Sequence, residues 1–268
     1  MSDHISPTQY DAWVNCQAKW GYRYIQGIRI APGAALAYGK SADEAQNGHY
    51  AEKMVTGEDP RLDDTLEVFD QQWTDNAETV EDWHGDDKEK LRKTGLAAIT
   101  IWGTEIAPET KPVEVQWECG FELEHEGRAV PVVGYVDLIK ESPVGGGHVI
   151  VDNKTAGRKW PVGKAQAQTQ PLVYAMAAEA LRPDVDANIF EFDITTKTKT
   201  PDAQVEIVEV TPAAREGMKR RLISAKDQMD AARQSGDVLP NRQSMLCSRR
   251  WCGFWEMCQR DFGGEVKA

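Results

Sequence analysis

Between Val113 and Thr155 apolar and polar residues alternate in short runs, while on either side the apolar positions recur at helical spacing. A period of two puts successive side chains on opposite faces of a strand, and a period near 3.6 gathers them on one stripe of a helix. The chain therefore reads as helices, then a strand meander, then helix, two strands and helix. "SPTQYDAWVNCQAKWGYRYI" predicts an opening helix with Ser6 as N-cap and Pro7 in the first turn. "GKSADEAQNGHYAEKMVT", Gly39 to Thr56, predicts a second, weakened by Gly48, and "DDKEKLRKTGLAAITIWGTEI" a further one before Ala107. From Pro112 the runs "VEVQWEC", "FELEHEG", "VPVVGYVDLIK" and "HVIVDNKT" read as strands, with turns at Glu126–Gly127 and from Pro143 to Gly147. A helix follows within "GKAQAQTQPLVYAMAAEALRP", which Pro171 either kinks or starts. "ANIFEFDITTKT" and "AQVEIVEVT" are two more strands. A long amphipathic helix begins near Pro212 and stops before Gly236, and the tail from Leu239 to Phe262 reads as loop. The pattern predicts an α/β fold, a central mixed sheet flanked by helices, in a single domain over 1–268. Within it, 1–110 is mainly helical, 111–236 forms the core and 237–268 is a cysteine-rich tail.

Composition narrows the class. The 268 residues are 41% hydrophobic and include nine tryptophans, which excludes a disordered chain. No apolar run is long enough to span a membrane, and "MSDHISPTQYDAW" lacks the layout of a signal peptide. Both point to a reducing cytoplasm, where five cysteines are not a disulfide framework. The net charge of −12 argues by itself against nucleic acid, but it is unevenly spread. Acid concentrates between Glu58 and Glu89. Cations gather at Lys154, Arg158, Lys159 and Lys164, at Lys197 and Lys199, at Arg215 and Lys219 to Arg221, and at Arg242, Arg249 and Arg250. A local basic groove can hold a phosphate backbone whatever the global charge.

The candidate chemistry starts at "VIVDNKT". Alternation puts Asp152 and Lys154 on one face of the strand, with Val149, Val151 and Asn153 on the other. If the preceding strand forms a hairpin that pairs Lys140 with Val149, Asp137 falls opposite Asp152. Facing β-carbons are then about 4.5–5.5 Å apart. Two carboxylates that close repel each other unless a cation lies between them, and oxygen ligands suit Mg²⁺ or Mn²⁺. A neighbouring lysine orients an attacking water or offsets charge on a pentavalent phosphate. G-x-x-D (Gly134 to Asp137) followed by D-x-K (Asp152 to Lys154) thus suggests metal-dependent phosphodiester hydrolysis. Gln166, Gln170 and Tyr174, four apart, would share one helix face and reach a bound water or phosphate.

In order and spacing, "GYVD", "VIVDNKT" and "QPLVY" resemble the RecB-like branch of the PD-(D/E)xK nucleases, a resemblance covering about Gly39 to Tyr174. It implies a restriction-endonuclease-like core with a helical N-terminal elaboration. It also implies a metal held by Asp137, Asp152 and the carbonyl of Asn153, with Lys154, Gln170 and Tyr174 completing the catalytic site. The family carries a histidine in an earlier G-x-x-x-H motif; here "GKSAD" places Asp43 in that slot. A carboxylate there suits Mg²⁺ better than an imidazole does. Glu44 and His49 are the alternatives. Arg158, Lys159 and Lys164 would touch phosphates.

"CSRRWCGFWEMC" sets Cys247, Cys252 and Cys258 within twelve residues. Three thiolates need a fourth partner for a zinc or iron–sulfur site, and Cys16 and Cys119 are the candidates. A subset of RecB-like nucleases, the AddB and CRISPR-associated types, holds a 4Fe–4S cluster with one cysteine before the core and three after it. The text around Cys16 resembles that N-terminal signature, which implies Cys16, Cys247, Cys252 and Cys258 as ligands and leaves Cys119 unligated. Trp251, Phe254 and Trp255 would shield the cluster or stack on bases.

The resemblance thus implies a metal-dependent exonuclease acting on DNA ends or single strands in phage or bacterial recombination or repair. Its partner would be of the single-strand annealing kind. The competing expectations are a catalytically degenerate iron–sulfur subunit that binds DNA, and a zinc or thiol redox protein.

Overall fold

The computed structural model describes residues 4–143 and 145–263. In chain order the helices are α1 (Pro7–Asn15), α2 (Gln17–Tyr24), α3 (Ala34–Thr56), α4 (Leu62–Glu78) and α5 (Lys88–Glu105). Then come strands β1 (Pro112–His125), β2 (Arg128–Glu141) and β3 (His148–Ala156), helix α6 (Gln170–Leu181), strands β4 (Val185–Thr196) and β5 (Ala203–Glu209), and helices α7 (Pro212–Ser235) and α8 (Trp255–Phe262). The five strands form one sheet in the order β1-β2-β3-β4-β5. β3 runs antiparallel to β2 and parallel to β4, and β5 is antiparallel to β4. A mixed sheet flanked by helices is the predicted architecture.

Local chemistry sets the ends. Ser6 is extended and its hydroxyl accepts a hydrogen bond from the Gln9 amide at 3.2 Å, capping α1. Asp87 caps α5 by accepting from the Lys90 amide at 2.8 Å. Glu126 and Gly127 both have positive φ, 49° and 76°, as a two-residue hairpin turn between β1 and β2 requires.

The chain divides into two compact units. The larger comprises Pro32–Phe121 and Gly134–Arg215. Its core fills both faces of the sheet. Ile139, Ile150, Phe190, Phe192, Ile194 and Tyr174 pack on one face, and Leu138, Val151, Tyr50 and Trp102 pack in a separate cluster. The smaller unit comprises Met1–Ala31, Glu122–Val133 and Glu216–Ala268, and joins α1 and α2 to the tail. There Ala18, Tyr22 and Phe254 form a small core, and the Ala18 amide donates to the Leu239 carbonyl at 3.1 Å.

Several local expectations are corrected. The opening helix is two helices, broken at Cys16, which is extended (φ −166°) and ends α1 while starting α2. The second helix begins at Ala34 rather than Gly39 and runs through Gly48. "VEVQWEC" and "FELEHEG" are one strand. Pro171 lies in the first turn of α6, so Gln166 stands before that helix, exposed, and shares no face with Gln170 and Tyr174. The tail contains a helix, α8, although its last residues, 264–268, lie outside the described residues, as does Val144 of the 143–147 turn.

Candidate functional site

The β2–β3 register is the predicted one, Lys140 opposite Val149 and Leu138 opposite Val151. One step further along the same register puts Asp137 opposite Asp152. The hairpin is tied there by the Asn153 amide, which donates to Asp137 Oδ2 at 2.8 Å. Asp152 is 1% exposed, and the ammonium of Lys154 forms an ion pair with its Oδ2. From α6, Gln170 Nε2 donates to Asp152 Oδ1 at 2.7 Å.

Asp43 lies on α3, and Asp152 and Lys154 both act on it electrostatically. Burial, with the charges of Glu44 and Asp152 behind it, pushes the Asp43 carboxyl up to about 6. Asp137 is raised well above the usual carboxylate range by burial and then by Asp152 and Asp43. Burial also raises Asp152, against the pull of Lys154. Burial acts to lower Lys154, but Asp152 and Asp137 outweigh it and hold the ammonium's pKa up. Three carboxylates thus compete for one lysine in a desolvated pocket. As the side chains stand, no three acidic, imidazole or thiol groups among the described residues converge on a single ion.

Tyr174 is placed differently from the expectation. Its hydroxyl donates to the Tyr135 carbonyl at 2.7 Å, so it holds β2 just ahead of Asp137 instead of pointing at a water. A β-carbon at Gly134 would lie 2.6 Å from the Tyr174 ring. The glycine of "GYVD" and the tyrosine of "QPLVY" are therefore two halves of one contact. His49 is occupied elsewhere: its ring nitrogens meet Thr65 Oγ1 at 2.9 Å and Asp59 Oδ1 at 3.1 Å. Glu44 is exposed beside Asp43. Both polar atoms of the Asn153 side chain are buried without a hydrogen-bond partner among the described residues, on the face of β3 away from Asp152.

Arg158, Lys159 and Lys164 are all exposed in the loop after β3. Lys159 pairs with Asp202 at 2.6 Å, and Lys164 lies over the Trp160 ring at 4.5 Å. The loop is braced where Trp160 exchanges hydrogen bonds with Gln204, at 2.8 and 3.0 Å.

In the smaller unit Cys16, Cys247, Cys252 and Cys258 line one cavity, of 40 Å³, together with Tyr22, Phe254 and Trp255. Cys16 Sγ accepts from the Asn241 amide at 3.4 Å. Burial first, and then the neighbouring thiols Cys16 and Cys247, raise the Cys252 and Cys258 thiols. Cys119 is buried in the other unit. Trp251 does not line the cavity; it is 55% exposed.

One buried cluster is not anticipated by the motifs. Lys140 and Glu191 form a buried ion pair, and Asp193, 2% exposed, is raised well above the usual range by burial and by Glu191. "FEFDITT" shows the alternation that puts Glu191 and Asp193 on one face. It does not show that Tyr50, on α3, lies close enough to that face to feel the charges of both Asp193 and Glu191.

The sequence model of the family described as the PD-(D/E)XK nuclease superfamily matches residues 4–259. No curated protein matches the chain. Among solved structures, a protein from Eubacterium rectale described as a "putative exonuclease" is 17% identical with a TM-score of 0.52, over 99% of this chain and 90% of that one. The structure of SSO0001 is 12% identical with a TM-score of 0.45, over 97% of this chain and 87% of that one.

Proposed function

We propose that this chain, which belongs to the PD-(D/E)XK nuclease superfamily, is a Mg²⁺- or Mn²⁺-dependent exonuclease that hydrolyses phosphodiester bonds at DNA ends or in single strands. The observation that carries this reading is the facing pair Asp137–Asp152, with Lys154 and Gln170 both on Asp152. The donor set fits a hard divalent cation. It offers oxygen ligands only, and its carboxylates are held above their ordinary range because burial and mutual repulsion are not offset by enough positive charge. Asp137, Asp152, Asp43 and the carbonyl of Asn153 would hold the ion. When bound, the ion supplies Lewis-acid activation of the phosphate and lowers the pKa of a water.

The remaining steps belong to the chain. Lys154, charged beside Asp152, offers its ammonium to the attacking water or to the phosphoryl oxygens that gain charge. Gln170 fixes the rotamer of Asp152. Tyr174 is a positioning residue that fixes β2 through Tyr135, and with it Asp137. Arg158, Lys159 and Lys164, exposed after the catalytic strand, would neutralise phosphates of the bound strand.

The four thiols around one cavity support a 4Fe–4S cluster in the smaller unit. The amide on Cys16 and the apolar wall of Phe254 and Trp255 suit a buried, hydrogen-bonded cluster sulfur. Its role would be structural, stapling Cys16 to the tail across 231 positions of chain. A recombination role beside a single-strand annealing protein, in a bacterial or phage-infected cytoplasm, follows from the resemblance. End-labelled DNA with Mn²⁺ tests the activity. The wild type should release nucleotides from ends, and Asp152→Ala should not. A wild type inactive on every end type, with metal and cluster present, leaves the degenerate DNA-binding subunit as the reading.

A further inference from the structure

A second concavity lies wholly in the smaller unit, a groove of 720 Å³ between α1, α7 and the segment Leu239–Asn241, with Cys16 in its wall. Its two sides differ in chemistry. On α7, Arg220, Ser224 and Gln228 stand four residues apart, so they form one stripe with steps of about 6 Å along the axis, and Arg221 flanks it. All four are exposed, and neither arginine side chain has a hydrogen-bond or ion-pair partner among the described residues. Elsewhere the arginines are largely matched, as in Arg92–Asp70, Arg128–Asp227, Arg233–Asp230 and Arg249–Glu256. The opposite side is apolar and open: Val14 is 59% exposed and Leu239 72% exposed, next to Pro240. The floor is rigid, with Trp13 edge-on to Trp20 at 5.0 Å and Arg233 over Trp20 at 5.0 Å.

The charge is also local. The smaller unit holds fourteen lysines and arginines against twelve aspartates and glutamates, although the whole chain carries −12. The net negative charge that argues against nucleic acid thus belongs to the other unit.

We infer that this groove is a binding track for single-stranded DNA, with phosphates on the Arg220–Arg221–Ser224–Gln228 wall and base faces on Val14, Leu239 and Pro240. This rests on the nuclease reading for the choice of DNA. A cationic wall facing an apolar wall complements the cross-section of a single strand, which carries phosphates on one side and bases open to contact on the other. A duplex turns its base faces inward, and an acidic peptide has no row of apolar faces opposite its charges. Guanidinium forks and short polar side chains are the usual partners of phosphate oxygens.

The test is fluorescence anisotropy of labelled oligo(dT) with the full-length chain in EDTA, titrated with salt, so that binding is read without hydrolysis. Wild type should bind single strands in preference to duplex of the same length. Arg220→Glu/Arg221→Glu should weaken binding at least tenfold and reduce the salt slope by roughly 1.4, about 0.7 per phosphate lost. Leu239→Ser should weaken binding a few-fold and leave the slope unchanged. If circular dichroism shows the charge-reversed protein misfolded, Arg220→Gln/Arg221→Gln should still reduce the slope. Unchanged affinity and slope in a folded variant overturn the inference. So does duplex competing as well as oligo(dT), and so does polyglutamate displacing oligo(dT) at equal charge. Strong groove-dependent binding with no cleavage in Mn²⁺ would sink the nuclease reading alone, and cleavage with groove-independent binding would sink the track alone.

Discussion

The acidic pocket of the larger unit and the cysteine cavity of the smaller one are built on opposite plans. The pocket takes three of its groups, Asp137, Asp152 and Lys154, from one hairpin; the pairing of β3 with β4 along Asp152–Lys154 and the Asn153 amide on the Asp137 carboxylate fix them. The cavity takes Cys16 from a break between two helices, Cys247 and Cys252 from irregular stretches of the tail and Cys258 from the short helix α8, so tertiary contacts hold it together. A site on a sheet is preorganised by the fold itself. A site at the chain ends depends on whatever joins those ends. The first should lose chemistry without losing structure when a ligand is removed, and the second should lose structure first.

The sharpest break in that comparison is a crossed pair of variants. Asp152→Ala should cut hydrolysis by at least about a thousandfold, the scale of removing a principal electrostatic group, while visible absorbance and melting temperature stay near wild type. Cys252→Ser should do the reverse, losing the absorbance expected of the proposed cluster. Its stability should fall by roughly the 2–4 kcal/mol of a link closing a long loop. Loss of both properties in both variants would mean the two regions are one cooperative site.

Next in size is Gly134→Ala. The added methyl group meets the Tyr174 ring at 2.6 Å, so β2 or α6 must shift, at a cost of about 1–3 kcal/mol. Because β2 carries Asp137, activity should fall along with the melting temperature. Pairing the change with Tyr174→Ala should recover part of the stability. No recovery would separate the two motifs that the structure joins.

A comparable or smaller effect concerns pH. The Asp43 carboxyl is raised to about 6 in the fold from a reference near 3.8, so its contribution to stability is present below about pH 4 and lost as pH rises through 6. Metal-free protein should therefore be more stable near pH 5 than near pH 8 on this account. Asp43→Asn should raise its melting temperature at pH 8, by the equivalent of roughly 1–3 kcal/mol, and Mg²⁺ should raise the wild type more than the variant. Equal melting temperatures at pH 8 with and without the substitution would remove Asp43 from the cluster of acids.

What was legible in the chain follows the same division. Ser6 is a cap in both sequence and structure because capping involves residues three apart. The pairing of Lys140 with Val149 follows from alternation and a short connection. The break in the opening helix is invisible in the sequence because helical spacing persists through Cys16; the extended backbone there comes with bonds from Ala18 to Leu239 and from Asn241 to the Cys16 sulfur, more than two hundred residues apart. Gln166 was misplaced because Pro171 is compatible with both a kink and a start. The burial of Glu191 and Asp193 could not be read, since alternation reveals a face and not what covers it.

The sequence by itself determined the order of helical and strand regions, the family motifs and the sharing of one strand face by Asp152 and Lys154. All of these rest on separations of a few residues, where backbone geometry leaves little freedom. Only the tertiary structure decided that Gly134 is matched to Tyr174 and that the Tyr174 hydroxyl ties β2 through the Tyr135 carbonyl. It also decided that the unpaired arginines of α7 face an apolar wall. Each of these depends on packing between segments far apart in the chain, and local periodicity carries no information about which segments meet.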